Sequence, residues 1–138
     1  MFRGDGDGYA AAVTSRIAVL AVDASDPALL AEFWCRVLGW EVREQEDGNI
    51  SIGTAAGEAA WSMDLLQVPE AKTVKNRLHL DLRADGTGTD AELERLLALG
   101  ARRVDVGQEP DVSWTVLADP EGNEFCLLSR TVQQRAAT

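Results

Sequence analysis

Residues 16–22 have the sequence RIAVLAV, and residues 77–83 have the sequence RLHLDLR. Both stretches begin with arginine, and the second alternates between polar and apolar side chains, which is typical of a β-strand with one buried face. Each stretch is followed by a segment with helical apolar spacing that ends in Leu-Gly, at residues 38–39 and 99–100. The chain is therefore predicted to contain two copies of one unit of roughly sixty residues.

Each unit is predicted to fold in the order strand, helix, strand, strand, strand. In the first unit, Asp26 or Ser25 is expected to cap the helix and Pro27 to occupy its first turn, while Asp47-Gly48 is typical of a hairpin turn. In the second unit, Thr89 and Glu92 have the spacing of a capping box. The predicted strands are 16–22, 40–44, 50–53 and 61–67 in the first unit, and 77–83, 102–106, 112–117 and 124–129 in the second.

Two βαβββ units predict an α+β fold in which two modules form curved mixed sheets around a cleft. The chain has 138 residues, which is the usual size of a single domain. The predicted parts are a flexible tail (1–14), one domain (15–130) with modules 15–67 and 77–130 joined by the linker 68–76, and a C-terminal tail (131–138).

Composition and charge exclude several classes of protein. Hydrophobic residues make up 46% of the chain and the formal net charge is −10, so the chain can form a core but repels the phosphates of nucleic acids and anionic membranes. It shows no apolar run long enough for a membrane span and no signal-peptide pattern at its start. Two cysteines, Cys35 and Cys126, make no disulfide framework, which is typical of a reduced, cytoplasmic protein. The expected partner is a small molecule.

Three stretches resemble the vicinal oxygen chelate superfamily, which includes glyoxalase I, bleomycin-resistance proteins and extradiol dioxygenases. They are DASDPALLAEFWCRVLGWEV (23–42), VPEAKTVKNRLHLDL (68–82) and DPEGNEFCLL (119–128), and they most resemble the actinobacterial glyoxalase-like branch. The resemblance covers residues 15–130 and implies the paired βαβββ fold, a small-molecule cleft and a homodimer. It also implies that catalysis usually depends on one divalent metal held by the first and last strands of the modules.

The resemblance and the repeat together indicate which residues occupy the four metal positions. His79 is on the first strand of the second module, and its counterpart is Ala18. Cys126 is at the position of the family's last-strand glutamate, and its counterpart is Asp64. Because alanine has no ligand atom and the chain has no second histidine, the usual site for nickel, iron or manganese is incomplete. No cofactor is therefore expected, although Asp64, His79 and Cys126 with a water have the donors for tetrahedral zinc.

The first strand of the second module also suggests a site that needs no metal. His79, Asp81 and Arg83 alternate with leucines and are expected on one face of the sheet. A histidine beside a carboxylate can act as a general base near neutral pH; the alternative is that Asp81 and Arg83 form a structural network. Trp61 and Trp114 lie on predicted inner strands, where they either wall a ligand pocket or pack in the core.

Two hypotheses of function follow, with an inactive partner subunit as a third. The first is a protein that binds a small molecule without the usual metal, either to sequester it or to transform it through His79. If Asp64 and Asp81 both face the cleft, they favour a cationic or amine-bearing ligand. The second is a metal-dependent lyase, isomerase or dioxygenase that uses Asp64, His79 and Cys126. The turn DPEGN at 119–123 is expected to have a geometric role. The expected ligand-binding residues are Asp64, Asp81, Trp61, Trp114 and Cys126.

Overall fold

A computed structural model describes residues 12–55, 61–108 and 113–137 of the chain. Most of the predicted N-terminal tail lies outside the described residues. Within those ranges no helix combines the length and the apolar character that a bilayer span requires.

Strands and helices follow the predicted order in both halves. The first half contains β1 (Val19–Ala24), α1 (Pro27–Leu38), β2 (Glu41–Glu46), β3 (Asn49–Gly53) and β4 (Ser62–Gln67). The second half contains β5 (Asp81–Leu82), α2 (Thr89–Leu99), β6 (Arg102–Arg103), β7 (Trp114–Ala118) and β8 (Glu124–Leu128), and is followed by α3 (Val132–Ala136).

The strands form two separate four-stranded sheets with the same topology. The first sheet has the order β1-β4-β3-β2, and the second sheet has the order β5-β8-β7-β6. In each sheet the pair at one edge, β1 with β4 or β5 with β8, is parallel, and the other pairs are antiparallel. The predicted α+β class with two βαβββ modules and mixed sheets is confirmed.

Strand pairing corrects the alignment of the two halves by one residue. Ala21 pairs with Asp64, and Asp81 pairs with Cys126. Since Asp64 and Cys126 are counterparts, Ala21 and Asp81 must be counterparts too. Two residues earlier, the counterpart of His79 is therefore Val19 and not Ala18. The prediction was wrong because it aligned the arginines at the start of each stretch, which lie outside the paired strands.

The strand predicted at 77–83 is much shorter in the structure. Only Asp81 and Leu82 form the ladder with β8. Leu78, within the predicted strand, is 85% exposed. A strand at the edge of a sheet has a partner on one side alone, so its alternating pattern does not ensure pairing along its full length. Strand β5 consequently begins two residues after His79.

Helix boundaries show which local signals in the sequence are reliable. Asp26 caps α1 by accepting a hydrogen bond from the N–H of Leu29, and Gly39 ends it with a φ of 68°. The capping box predicted at Thr89 is wrong, because α2 begins at Thr89 itself and the Thr89 hydroxyl donates to the Ser129 carbonyl. A capping box forms instead at Thr131, in the predicted C-terminal tail, where it begins α3.

Helix α1 contributes the centre of the core. Its residues Phe33 and Trp34 pack edge-to-face with each other and with Phe125 of β8, at ring-centroid distances of 5.1 to 6.1 Å. Leu30 on the same helix and Leu96 of α2 are fully buried beside them. A helix of the first half and a strand of the second half therefore share one hydrophobic core, and the burial of these side chains holds the halves together.

A buried carboxylate joins the two halves through hydrogen bonds. Asp119, 1% exposed, accepts a hydrogen bond from the Trp34 indole N–H at 3.1 Å. The same carboxylate accepts bonds from the backbone N–H of Glu121 at 2.9 Å and from the backbone and side-chain N–H groups of Asn123. Burial raises the pKa of Asp119, and these hydrogen bonds oppose the rise. The turn at 119–123 is thus a structural joint.

Both ends of α1 are bound by side chains from the second half. Glu121 accepts hydrogen bonds from the backbone N–H groups of Ser25 and Asp26 at 2.8 and 2.7 Å, at the start of the helix. Arg95 of α2 donates to the carbonyls of Arg36 and Val37 at 3.0 Å, at its end. A carboxylate at the N-terminus of a helix and a guanidinium at its C-terminus both oppose the helix dipole, and both therefore stabilise the helix.

Replacement of Asp119 by alanine is expected to lower the free energy of unfolding by about 3 kcal/mol, because one buried donor and several partly buried donors lose their acceptor at once. Urea unfolding followed by tryptophan fluorescence measures this loss, since Trp34 loses its indole hydrogen bond in the variant.

The matched control is Asp105→Ala. Asp105 is exposed and accepts one hydrogen bond, from the N–H of Gly107 at 2.8 Å. Its replacement is therefore expected to lower the free energy of unfolding by less than about 1 kcal/mol. Equal losses for the two variants would show that Asp119 does not join the halves.

Candidate functional site

The second sheet carries a half-open cleft of about 500 Å³, here called the second-sheet cleft. Its walls include Trp114 of β7 and Cys126 of β8, together with Asp81, the first residue of β5, and His79, two residues before it. These residues share a face because side chains two residues apart on a strand point the same way. Trp114 is 41% exposed, which leaves a large apolar surface available inside the cleft.

His79 and Asp81 form a polar pair in this cleft. The His79 Nδ1 atom lies 3.2 Å from Asp81 Oδ1, and both side chains are nearly half exposed. When Nδ1 carries the proton and donates it to Asp81, Nε2 is left as an acceptor. The pair can therefore accept a proton or hydrogen bond from a ligand at Nε2 and bind a cation at the carboxylate.

Cys126 lies buried beneath the pair. Burial raises the pKa of its thiol to about 11, and the negative charge of Asp81 and a hydrogen bond to it act in the same direction. A thiol with this pKa stays protonated at neutral pH, and the thiolate is the reactive form. Cys126 can thus contribute a polarisable wall to the cleft, but it is a poor nucleophile there.

The donor atoms of His79, Asp81 and Cys126 lie within 4.8 Å of one another, and among the described residues they form the one cluster of this kind. Asp64 is not part of it, because Asp64 lies on β4 of the first sheet, paired with Ala21 and Ser51. The predicted trio of Asp64, His79 and Cys126 therefore does not form, and the carboxylate in the cluster comes from Asp81 and not from Asp64.

The donor set of this cluster tests which metals the chain can hold. One imidazole, one carboxylate and one thiol suit a tetrahedral thiophilic ion such as zinc, whereas manganese, iron and nickel sites need more oxygen or nitrogen ligands. The counterpart of His79 on the first sheet is Val19, which has no ligand atom. The residues present fit a zinc-type ion and do not fit the hard-metal site of the superfamily.

Two further predicted residues lie elsewhere. Trp61 precedes β4 and packs edge-to-face on Trp40 at 5.5 Å, so it belongs to the first sheet and not to the second-sheet cleft. Arg83 donates to the backbone carbonyl of Arg130 at 2.9 Å, which separates it from the His79 and Asp81 pair. The expected row of three polar side chains thus contributes two to the cleft.

An ion pair at the edge of the cleft was not predicted from the sequence. Lys72 of the linker lies 2.9 Å from Glu124 of β8, and the backbone N–H of Asn76 donates to the same carboxylate. Burial alone would raise the pKa of Glu124, but the Asn76 and Lys72 hydrogen bonds hold that pKa below its usual value. A lysine in a polar linker gives no sequence signal of burial, so this contact could not be anticipated.

A larger cavity of about 630 Å³ lies between the two modules and is here called the inter-module cleft. Its walls include β1 residues Leu20 to Asp23 and the linker. His79, Lys75 and Glu124 line both cavities. The start of β5 thus separates two clefts, and the second-sheet cleft holds the cluster of chemically active side chains.

The sequence matches the family of the Glyoxalase-like domain over residues 19–128. A search of curated proteins finds no relative of significant similarity.

Several solved structures share the fold at low sequence identity. The fosfomycin resistance protein FosX from Listeria monocytogenes, complexed with Mn(II) and sulfate, is 14% identical with a TM-score of 0.63, over 91% of this chain and 98% of that one. The antibiotic-binding protein TnmS3 from Streptomyces sp. CB03234 is 18% identical with a TM-score of 0.56, over 87% and 99%. The oxidase ChaP-H2 is 20% identical with a TM-score of 0.55, over 86% and 95%.

The family match confirms the glyoxalase-like resemblance and the solved structures confirm the fold, while the branch stays a prediction. With two βαβββ modules and a family match that covers most of its length, the chain belongs to the Glyoxalase-like domain family.

Proposed function

We propose that the protein binds a small, amine-bearing aromatic molecule in the second-sheet cleft without a hard divalent metal. The observation that carries this proposal is the exposed face of Trp114 in the same cleft as the Asp81 carboxylate. An aromatic wall with a few placed polar groups is the usual composition of a small-molecule site, and a carboxylate at its edge favours a cation.

His79 has a defined role in this proposal. Its Nδ1 contact holds the ring against Asp81, so that Nε2 is the atom that meets the ligand. A ligand N–H or O–H can donate to Nε2, which orients the ligand and allows proton transfer to the ring. Binding for sequestration needs the orientation alone. Antibiotic binding by TnmS3, which has the same fold, supports the sequestration role.

The proposal predicts selectivity for positive charge, which benzylamine and benzoate can test because they carry similar rings with opposite charges. Benzylamine is expected to quench tryptophan fluorescence, and the Asp81→Asn variant is expected to bind it about fivefold more weakly, because one partly exposed ion pair is lost. Titrations at pH 8 measure the affinities of the unchanged protein for benzylamine and benzoate, and that of the Asp81→Asn variant for benzylamine.

Matched variants separate this cleft from the rest of the protein. Trp114→Phe is expected to remove the quenching, whereas Trp40→Phe, on the first sheet, is expected to retain it. Asp64→Asn should leave the affinity for benzylamine unchanged. Equal binding of benzoate, or equal weakening by Asp64→Asn and Asp81→Asn, would contradict the proposal.

A metal-dependent lyase, isomerase or dioxygenase is the second candidate, and the cluster of His79, Asp81 and Cys126 favours it. These three side chains would hold a thiophilic ion such as zinc, and such an ion would supply a Lewis acid beside the ligand. The raised pKa of the Cys126 thiol means that binding would have to displace its proton.

Equilibrium dialysis against zinc and manganese, followed by elemental analysis, tests the second candidate. It predicts one zinc per chain that is lost in His79→Ala and in Cys126→Ser but retained in Cys35→Ser, because Cys35 lies outside the cluster. Zinc that survives Cys126→Ser contradicts this candidate. Stoichiometric metal that is also required for benzylamine binding contradicts the metal-free proposal.

We infer that the protein works as a homodimer in the cytoplasm. Exposed Ile17 and Val19 near the start of β1 offer apolar surface for a second copy, and both Cys35 and Cys126 are free thiols, as expected in a reducing compartment.

A further inference from the structure

The inter-module cleft is a second cavity whose lining the proposed function does not use. Its volume of about 630 Å³ lies in the range of small-molecule sites. It opens between β1 and the linker, on the other side of His79 from the second-sheet cleft. A ligand there would not need Trp114 or Cys126, which line the second-sheet cleft alone.

One wall of this cleft is the free edge of β1. The carbonyls of Ala18 and Ala24 accept hydrogen bonds from the backbone N–H groups of Ser62 and Val68 on the β4 side. Because backbone groups alternate along a strand, Ala21 and Asp23 direct their N–H and C=O groups away from β4. In the described part of the chain β1 pairs with β4 alone, so the outward groups at Ala21 and Asp23 are a template for another amide.

Apolar side chains surround that edge. Leu20 and Leu80 are partly buried along the cleft, while Val74 and Leu78 of the linker region are 76% and 85% exposed. When a ligand covers large apolar side chains that are exposed beside a cavity, their removal from water favours binding. The apolar part of a ligand therefore fits against Val74 and Leu78.

The carboxylates deepest in this cleft do not call for a cationic ligand. Asp119 accepts hydrogen bonds from Trp34 and Asn123, and Glu121 accepts them from the start of α1. Glu124 is paired with Lys72. Their charges are already balanced by protein donors. From β1, the cavity is lined by the outward backbone groups of Ala21 and Asp23, beside the exposed Asp23 side chain.

We propose that the inter-module cleft binds a neutral apolar molecule that carries a peptide-type amide. The amide pairs with the backbone of Ala21 and Asp23, as an added strand pairs with a sheet edge. The apolar group lies over Val74 and Leu78. Such a site differs in position and chemistry from the cationic site of the second-sheet cleft, and either can exist without the other.

N-Acetylphenylalaninamide is the probe for this site, and 3-phenylpropanol, which has the ring without the amide, is its control. Titration of the full ¹⁵N-labelled chain is expected to shift the amide resonances of Ala21 and Asp23 with the first compound and not with the second.

Proline substitutions test the edge itself. Ala21→Pro removes an N–H that points away from β4. Proline is tolerated at such an edge position, and the substitution is expected to lower the affinity for the amide probe about fivefold. Val19→Pro removes the equivalent outward N–H outside the cleft and is expected to leave binding unchanged. Thermal unfolding of both variants confirms that each is folded.

A second pair of variants keeps the test decisive if Ala21→Pro does not fold. Val74→Ser in the linker and Leu78→Ser just after it change exposed residues and are expected to weaken binding of the probe, whereas Val42→Ser on β2, similarly apolar and 43% exposed, is not. Four results would overturn the proposal. They are no shift at Ala21, equal binding of 3-phenylpropanol, equal effects of the cleft and control variants, and amide hydrogens of Ala21 and Asp23 that resist exchange without the probe, which would show that a second copy covers this edge.

Discussion

The carboxylate of Asp119 is the polar contact on which the arrangement of the two halves depends. It lies in the turn before β8, and through the indole N–H of Trp34 it reaches the helix of the other half. A carboxylate removed from water is costly unless every oxygen is satisfied. Here Trp34, Glu121 and Asn123 satisfy it. Both clefts lie against structure that this contact holds in place, since β8 contributes to each.

The fold could be predicted because its signals are local. The Asp26 cap and the left-handed Gly39 act within one turn of helix, and the Asp47-Gly48 turn needs only its own positive φ values. Strand pairing is different, because register depends on the partner strand. The alternating pattern at 77–83 therefore indicated which residues share a face but not where β5 begins. Thr89 was likewise misassigned because its hydroxyl contacts Ser129, which is distant in sequence.

The candidate site was predictable in part for the same reason. His79 and Asp81 are two residues apart, so strand geometry alone places them together. Cys126 joins them through the pairing of β5 with β8. Asp64 is the counterpart of Cys126, and residues related by this internal repeat lie on different sheets, so they come together only where the two sheets face each other. The four positions taken from the repeat therefore divide between the two modules, and the cluster that forms belongs to the second module alone.

The binding of α1 at both ends makes the two halves unequal. Its first N–H groups meet Glu121, and its last carbonyls meet Arg95. By contrast, α2 has Gly88 as its N-cap residue and no side-chain cap. The first half therefore receives contacts from the second half at both ends of its helix. Expressed alone, the first half would keep the Asp26 cap and the Gly39 end of α1 but would lose the contacts of Glu121 and Arg95 at the two ends of this helix.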